Sequence, residues 1–444
     1  MIDNNYNERF RKFFTKFFDN YKKIKNQEEK DFLFKLAVNF VEKNRDFVIQ
    51  YPLVTYWEEV KKENYNEIKL NLFKSYEWKK TSLYFHIPFC KTKCTYCNFH
   101  IIVWAKNKDL TQKIYINKLK KEIDDFSENI NDIKIDTIYI WWWTPSYLDE
   151  ENIEDLISYI NKKFWKYYLE DLEFCFESNP DSLTKEKLQI LKNNKVNRIS
   201  LWVQSFDDEI IKKINRTYRK EDVLNVINLA KSIWFEKLNI DMIYGLPWSN
   251  YENMKKDLEI AKSLPINHLT YYPLYYYEES IIWKKQETYD NIESIYNFYD
   301  EVVETLTKEW FKQYWREYFC KNWEIHKYHN NHITNKLFYW FWHSSYSFSW
   351  KEAFYKEQDL NEYLKNENNI KKVYYYNDEN FDRRLFVLWM KDLNINKVNI
   401  KNIDSIKHLI NILIEMKLLK EYKDRYTLTY KWLKYQELLS HIFI

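Results

Sequence analysis

The sequence predicts an α/β fold in which a parallel sheet, open or curved into part of a barrel, lies between a helical N-terminal extension and a small C-terminal domain. Three observations predict it. Six β-rich runs alternate with helical stretches from residue 82 onward, and strands joined in series by helices form parallel sheets. Three cysteines fall within eight residues directly after the first of those runs. Polar residues close several later runs, and active sites of such folds lie at the C-terminal ends of the strands.

Residues 1–80, with stretches such as NERFRKFFTKFFDNYKKI, read as helices and connectors whose charges form a solvated face. The strands expected next are SLYFHI (82–87), KIDTIYI (134–140), DLEFCFE (171–177), NRISLWV (197–203), KLNIDMIY (237–244) and NHLTYYPL (267–274). Helical patterns fill the intervals at 111–130, 149–163, 184–194, 219–233 and 250–263, and another follows at 293–312. This divides the chain into an extension (1–80), a β/α core (81–312), an α+β connector (313–379) and a C-terminal domain (380–444) containing the hairpin KEYKDRYTLTYKWL.

Composition narrows the function. Lys+Arg (69) and Asp+Glu (66) nearly balance at a net charge of +3, so no general nucleic-acid binder or acidic tail is indicated. With 20% aromatic residues the chain cannot remain solvated and disordered. The start, MIDNNYNERF, is polar with no apolar segment behind it, and no run approaches 18 apolar residues, so neither a signal peptide nor a membrane span is expected. Five cysteines, three of them clustered, fit a metal centre in a reducing compartment better than a disulfide framework. The expected location is the cytoplasm, the expected state a monomer or weak dimer.

One count fits no ordinary protein. There is a single glycine, Gly245, beside 19 tryptophans, where average usage would give roughly 31 glycines. Glycine serves positive φ and close backbone approach. Three adjacent tryptophans, Trp141, Trp142 and Trp143, end the second strand with over ~450 Å² of aromatic surface. Either the tryptophans are genuine, or UGA codons that mean glycine in the source have been read as tryptophan. Under the second reading IYIWWWTPSYL becomes IYIGGGTPSYL, ISLWVQSFDD becomes ISLGVQSFDD, YGLPWSN becomes YGLPGSN and FYWFWHSSYSF becomes FYGFGHSSYSF, each change falling where a turn or close approach would use glycine. Genuine indoles at 141–143 would block a cofactor there.

The strongest chemical signal is Cys90-Lys-Thr-Lys-Cys94-Thr-Tyr-Cys97. Three thiolates at this spacing can hold three irons of a [4Fe–4S] cube, which usually takes four cysteines, leaving one iron open. The alternative is zinc, completed by His86 or His100. Cys175 and Cys320 read as ordinary thiols. The spacing, with a strand before it, resembles the radical S-adenosylmethionine (SAM) superfamily. That resemblance implies a partial (β/α)6 TIM-like barrel. It also implies SAM chelated to the open iron and cleaved by an electron from the cluster, giving a 5′-deoxyadenosyl radical.

From about Tyr84 to the C-terminus, at LYFHIPFC, the cysteine loop and VQSFDD…NR…DMIYGLP, the chain is similar to the oxygen-independent coproporphyrinogen III oxidases and their heme-chaperone relatives. The resemblance implies that Cys90, Cys94 and Cys97 bind the cluster and that Tyr84 packs near cluster and SAM. It places Trp142, Trp143 and Thr144 at the glycine-rich SAM contact, and Glu177, Gln204, Arg216 and Asp241 at the cofactor site. Taken singly, Glu177 could be a cap or surface carboxylate, and Arg216 could pair with a helix carboxylate.

The branch stays open. Oxidases would decarboxylate propionates of coproporphyrinogen III to vinyl groups, and their loop usually reads CxxxCxxCxC, whereas Phe99 stands at the last position here. Phe99 points to the heme chaperones or to anaerobic heme-degrading enzymes. About eighty residues before the cluster strand, including YPLVTYWEE, point toward the oxidases. The oxidase is taken as the main expectation, the chaperone as the alternative. His326, His329, His332 and His343 crowd one segment, and His329-Asn330 resembles the HN motif of the chaperones, which makes His329 a heme-ligand candidate. The opposing reading is a set of surface histidines on a loop. The implied partners are a tetrapyrrole or heme and an electron donor such as flavodoxin or ferredoxin. LTYKWLKYQELL resembles a winged-helix element, but no dense basic stripe supports nucleic-acid binding. Another radical SAM modification, of tRNA or protein, predicts no tetrapyrrole binding.

Overall fold

The computed structural model of the 444-residue chain describes residues 57–98, 101–103, 108–275, 277, 280–287, 292–334, 336–389, 394–397 and 407–430. The expected N-terminal helices before residue 57 lie outside them, as do Phe99 and His100.

All six expected strands are present, the fifth with the expected bounds and the others lengthened, trimmed or shifted by a few residues. They are β1 (Lys80–Ile87), β2 (Lys134–Trp143), β3 (Tyr168–Ser178), β4 (Arg198–Gln204), β5 (Lys237–Tyr244) and β6 (His268–Pro273). A seventh, β7 (Leu337–Phe341), runs parallel to β1 on its outer side. The parallel strands follow the order β7-β1-β2-β3-β4-β5-β6. Short antiparallel strands extend both sides, 318–320 and 312–313 beyond β6, and 346–348, 352–356, 370–375 and 58–59 beyond β7. The thirteen strands form one open sheet, so the described residues make part of a barrel that does not close. The strands between 337 and 375 lie in the α+β connector, where no individual strand was predicted. The first of them, LFYWF at 337–341, is buried along its whole length, which hides the period-2 alternation that marks a strand with one wet face.

The helices are α1 (Lys108–Glu128), α2 (Glu150–Phe164), α3 (Lys185–Asn193), α4 (Lys220–Ser232), α5 (Tyr251–Ser263) and α6 (Ile292–Lys308). Their starts are legible locally. Asp149 caps α2 by accepting from Asn152 N–H, Thr184 caps α3 through Lys187 N–H, and Asn250 with Asn253 forms a reciprocal box on α5, each satisfying backbone donors that have no intrahelical partner. Their apolar stripes, such as Ile153, Leu156, Ile157 and Ile160 on α2, are fully buried.

Side chains alternate across a strand, so each strand sends one set to each face. Phe174 and Phe176 of β3, Ile199, Leu201 and Val203 of β4, and Leu238, Ile240 and Met242 of β5 form the apolar set, all buried. The opposite set is polar or aromatic. Register aligns Tyr84 with Tyr139, Tyr139 with Cys175, Glu177 with Ser200, Ser200 with Asn239 and Asn239 with His268. Across that face a short helix, α7 (Lys327–Ile333), is tied down by Asn331 Nδ2 to the Asp136 carboxylate and Ser82 Oγ, both at 3.1 Å, and by Tyr328 N–H to Glu173 Oε1 at 3.1 Å. His329 and His332 thus lie on a helix packed on the sheet with His326 at its N-cap, not on a surface loop, while His343 lies buried in the turn after β7.

The described residues from 377 onward belong to a separate unit. Its described part has helices at 378–389 and 407–415 and a three-stranded antiparallel sheet with 425–428 in the centre. The expected hairpin is its 419–421/425–428 pair.

Candidate metal centre and cofactor site

The loop after β1 carries Cys90, Cys94 and Cys97. All five cysteines are free thiols. Cys90 and Cys97 are buried and Cys94 half-buried, with Ile101 packed against the group. The loop is held from outside by backbone and amide bonds to the turn after residues 208–213. Thr95 N–H donates to Ile214 O at 3.1 Å, Asn215 Nδ2 to Lys93 O at 2.8 Å, and Thr92 Oγ1 to Asn215 O at 2.8 Å. Burial pushes the Cys90 thiol up to about 12, with Thr144 and Arg216 pulling it back, so a thiolate there needs a cation to stabilise it. Among the described residues no group of three His, Cys, Asp or Glu converges to hold a single ion. His86, the zinc alternative, is fully buried, takes the Tyr84 hydroxyl at 3.0 Å and stacks on Trp342. The three thiols share one loop with Ile101 against them and are the candidate ligands of an iron–sulfur cluster.

Around them lies a polar chain that sequence reasoning found only in part. Thr144, after β2, is buried with Oγ1 3.4 Å from Cys90 Sγ. Asn179 donates Nδ2–H to Thr144 Oγ1 at 3.2 Å and accepts from Arg216 Nη1 at 2.6 Å. Arg216 Nη2 reaches the hydroxyl of Tyr96, between the second and third cysteines, at 2.9 Å. Burial opposes the guanidinium charge, but Cys94, Tyr96 and Tyr218 hold it well above its ordinary pKa. Asn179, Tyr96 and Asn215 were missed because nothing in their local pattern separates them from ordinary loop residues.

Glu177 closes β3, buried. Its Oε1 accepts from Tyr139, while Oε2 has no partner in hydrogen-bonding geometry. Burial, then the nearby Asp241 carboxylate, raises Glu177 well above the carboxylate range, with Tyr139, Ser200 and Trp202 pulling partly back. Asp241 accepts from Ser200 Oγ at 3.0 Å and Asn239 Nδ2 at 2.9 Å. Gln204 ends β4 at φ +61°, a strained backbone of the kind found at ligand sites. Thr95 Oγ1, Asn98 Oδ1, Ser178 Oγ and Arg216 Nε are also buried without partners. Orphaned donors and acceptors at one sheet end fit a polar ligand that would complete them.

Tyr84 is buried on the polar face, 6.2 Å from Tyr139 between ring centres, with its hydroxyl 3.0 Å from His86 Nδ1. Trp141 stacks on Tyr139 at 5.2 Å. Trp142 and Trp143 lie in β2, and their side chains are outside the described residues. His329 sits on α7, its Nδ1 2.6 Å from the Tyr318 hydroxyl and its ring 4.3 Å from that of buried His326. Tyr139, Trp141 and Trp315 surround it.

Residues 84–261 match the radical SAM superfamily. The chain is 33% identical over 233 residues to a heme chaperone, HemW, of Buchnera aphidicola (subsp. Acyrthosiphon pisum), covering 52% of this chain and 61% of that one. It is 35% identical over 193 residues to HemW of Bacillus subtilis, covering 44% and 50%. An oxygen-independent coproporphyrinogen III oxidase of Salmonella typhimurium is 30% identical over 195 residues, 44% of this chain and 42% of that one. These alignments span only about half to three-fifths of the chaperones' length. The structure superposes on coproporphyrinogen III oxidase (HemN) of Escherichia coli with a TM-score of 0.77 at 18% identity, covering 89% of this chain and 96% of that one. The fold is therefore that of HemN, and the resemblance read from the motifs holds across the stretch that carries them. The expected cofactors, an iron–sulfur cluster with SAM, agree with the superfamily match. No described helix is long and apolar enough to cross a membrane.

Proposed function

We propose that this chain, a radical SAM protein by its matched core, binds heme and passes it to client proteins, with oxidation of coproporphyrinogen III as the second reading. This reverses the order expected from sequence. What favours the chaperone is the kind of relative found, together with Phe99 in place of a fourth loop cysteine. The single observation that carries the heme reading is the pair His326, at the N-cap of α7, and His329 on α7, facing an aromatic enclosure of Tyr139, Trp315 and Tyr318. A planar macrocycle suits aromatic walls, and neutral imidazole is a common axial ligand of heme iron.

Cys90, Cys94 and Cys97 would hold the cluster. When bound, the cluster and SAM supply one-electron reductive chemistry, driven by a ferredoxin- or flavodoxin-class donor. The chain's own residues do the remainder. Glu177, Gln204 and Asp241 offer acceptors at the strand ends, and Arg216 sets positive charge beside the cysteine loop. The second reading is favoured by the 30% identity to the Salmonella typhimurium oxidase.

The test is anaerobic reconstitution with iron and sulfide, followed by separate incubation with heme and with SAM plus coproporphyrinogen III. The proposal expects a heme Soret band without vinyl products. Vinyl products would establish the second reading, and neither signal would overturn both.

A further inference from the structure

We propose that Thr144 and Asn179 are positioning residues that set the reduction potential of the cluster; this rests on the cluster reading above. The direction of each hydrogen bond is fixed by chemistry. Arg216 has only donors, so the Asn179 atom 2.6 Å from its Nη1 is the carbonyl oxygen. The Asn179 amide nitrogen therefore faces Thr144, 3.2 Å from Oγ1, and fills an acceptor position of that hydroxyl. A cysteine sulfur bound to iron carries no hydrogen, so the 3.4 Å contact between Thr144 Oγ1 and Cys90 Sγ can then run only from hydroxyl to sulfur. The backbone N–H of Asn179 donates to Ser146 Oγ at 3.0 Å, which pins the amide from its other end. Donation to a ligating sulfur stabilises the more negative, reduced cluster and raises its potential. Arg216, on the same amide, acts in the same direction through its charge.

The experiment is a redox titration of the reconstituted protein followed by electron paramagnetic resonance, with iron and sulfide per chain measured on each sample. Thr144→Val keeps the shape and removes the donor. It is expected to lower the reduced-to-oxidised ratio at fixed potential about tenfold, a downward shift of about 59 mV for one electron, with Thr144→Ser restoring the original value. Thr144→Ala is the second variant should valine reduce iron content. An unchanged potential in a fully loaded Thr144→Val or Thr144→Ala protein overturns this inference alone. A wild-type chain that takes up no cluster overturns the cluster reading as well.

A separate observation concerns the tryptophans. Five of the twelve described non-glycine residues with positive φ are Trp78, Trp234, Trp248, Trp310 and Trp323, at 61–70°, a region that bulky side chains avoid. Trp234 and Trp310 follow the caps of α4 and α6. Trp234 N–H donates to Lys231 O and Phe235 N–H to Ala230 O, at 2.9 and 3.0 Å, while Trp310 and Phe311 repeat the pattern on Thr307 and Leu306. That paired bonding defines the helix end at which glycine is the usual residue. Trp248 is third in Leu246-Pro247-Trp248-Ser249, closed by Ser249 N–H to Leu246 O at 3.1 Å, the glycine position of a type II turn. Asn322 and Trp323 both have positive φ, and Glu324 N–H closes on Lys321 O at 3.0 Å, where Asn-Gly is the favoured pair.

We infer that these five positions carry glycine in the protein made by its source, through UGA codons read as glycine. Trp234 and Trp310, 78% and 88% exposed, bury nothing that would repay an indole there. Peptide masses of the native protein are expected to show glycine at all five, and a chain carrying glycine at them should melt roughly 5 °C higher than the tryptophan form. Tryptophan masses at these positions, or UGG codons, overturn the inference.

Discussion

The hydroxyl of Tyr318 lies 2.6 Å from Nδ1 of His329. Tyr318 also exchanges a hydrogen bond with Tyr272 at 2.8 Å, so the imidazole is oriented from the sheet. A ligating histidine is normally fixed through its other ring nitrogen in this way. On the heme reading, His329→Ala abolishes or shifts the Soret band in an anaerobic heme titration. Tyr318→Phe keeps the ring and weakens heme binding about tenfold. Unchanged spectra in both variants would remove His329 from the site.

Single replacements of Cys90, Cys94 or Cys97 by Ala each lower iron in the reconstituted protein from about four per chain to near zero, whereas Cys175→Ala leaves it unchanged. Cys175 is fully buried on the sheet between Glu173 and Glu177, and burial raises its thiol well above the ordinary range. Iron and sulfide analysis with visible absorbance checks this.

Asp257 on α5 accepts from Ser205 Oγ at 2.5 Å and from Phe206 N–H at 2.8 Å, bracing the turn after strained Gln204. Burial is the first cause raising its carboxyl to about 7. Between about pH 4 and 7 the unfolded chain has released this proton while the folded chain keeps it, so stability falls as pH rises. The full effect is at most about 4 kcal/mol. Asp257→Asn should flatten that slope in urea melts at pH 4, 5.5 and 7; an unaltered slope refutes the assignment.

Gly245→Ala should destabilise the fold by about 1–2 kcal/mol. Gly245 has φ +75°, and an added Cβ would lie 2.9 Å from Ile295 Cδ1, a flexible end that relieves part of the clash. Chemical denaturation measures the loss; a neutral result would mean the turn relaxes away from positive φ.

The β/α core was legible because its signals are local. DLEFCFE and NRISLWV alternate or run apolar over strand lengths, and Asp149, Thr184 and Asn250 announce the helices they cap. The cysteine spacing was legible for the same reason. The histidine segment misled in part, since HKYHNNHI is polar enough for a loop. It becomes a helix because Asn331 and the Tyr328 backbone meet Asp136 and Glu173 on distant strands.

By itself the sequence determined the order of strands and helices, the three thiols and the oddity of its tryptophans, all properties of residues close together along the chain. Only tertiary structure decided that Asn179 links Thr144 to Arg216, that His329 faces Tyr318, and that five tryptophans stand where the backbone needs glycine. Those relations join residues from different strand ends, or depend on a dihedral angle. Their energies come from strand register and buried hydrogen bonds, which residue order does not display.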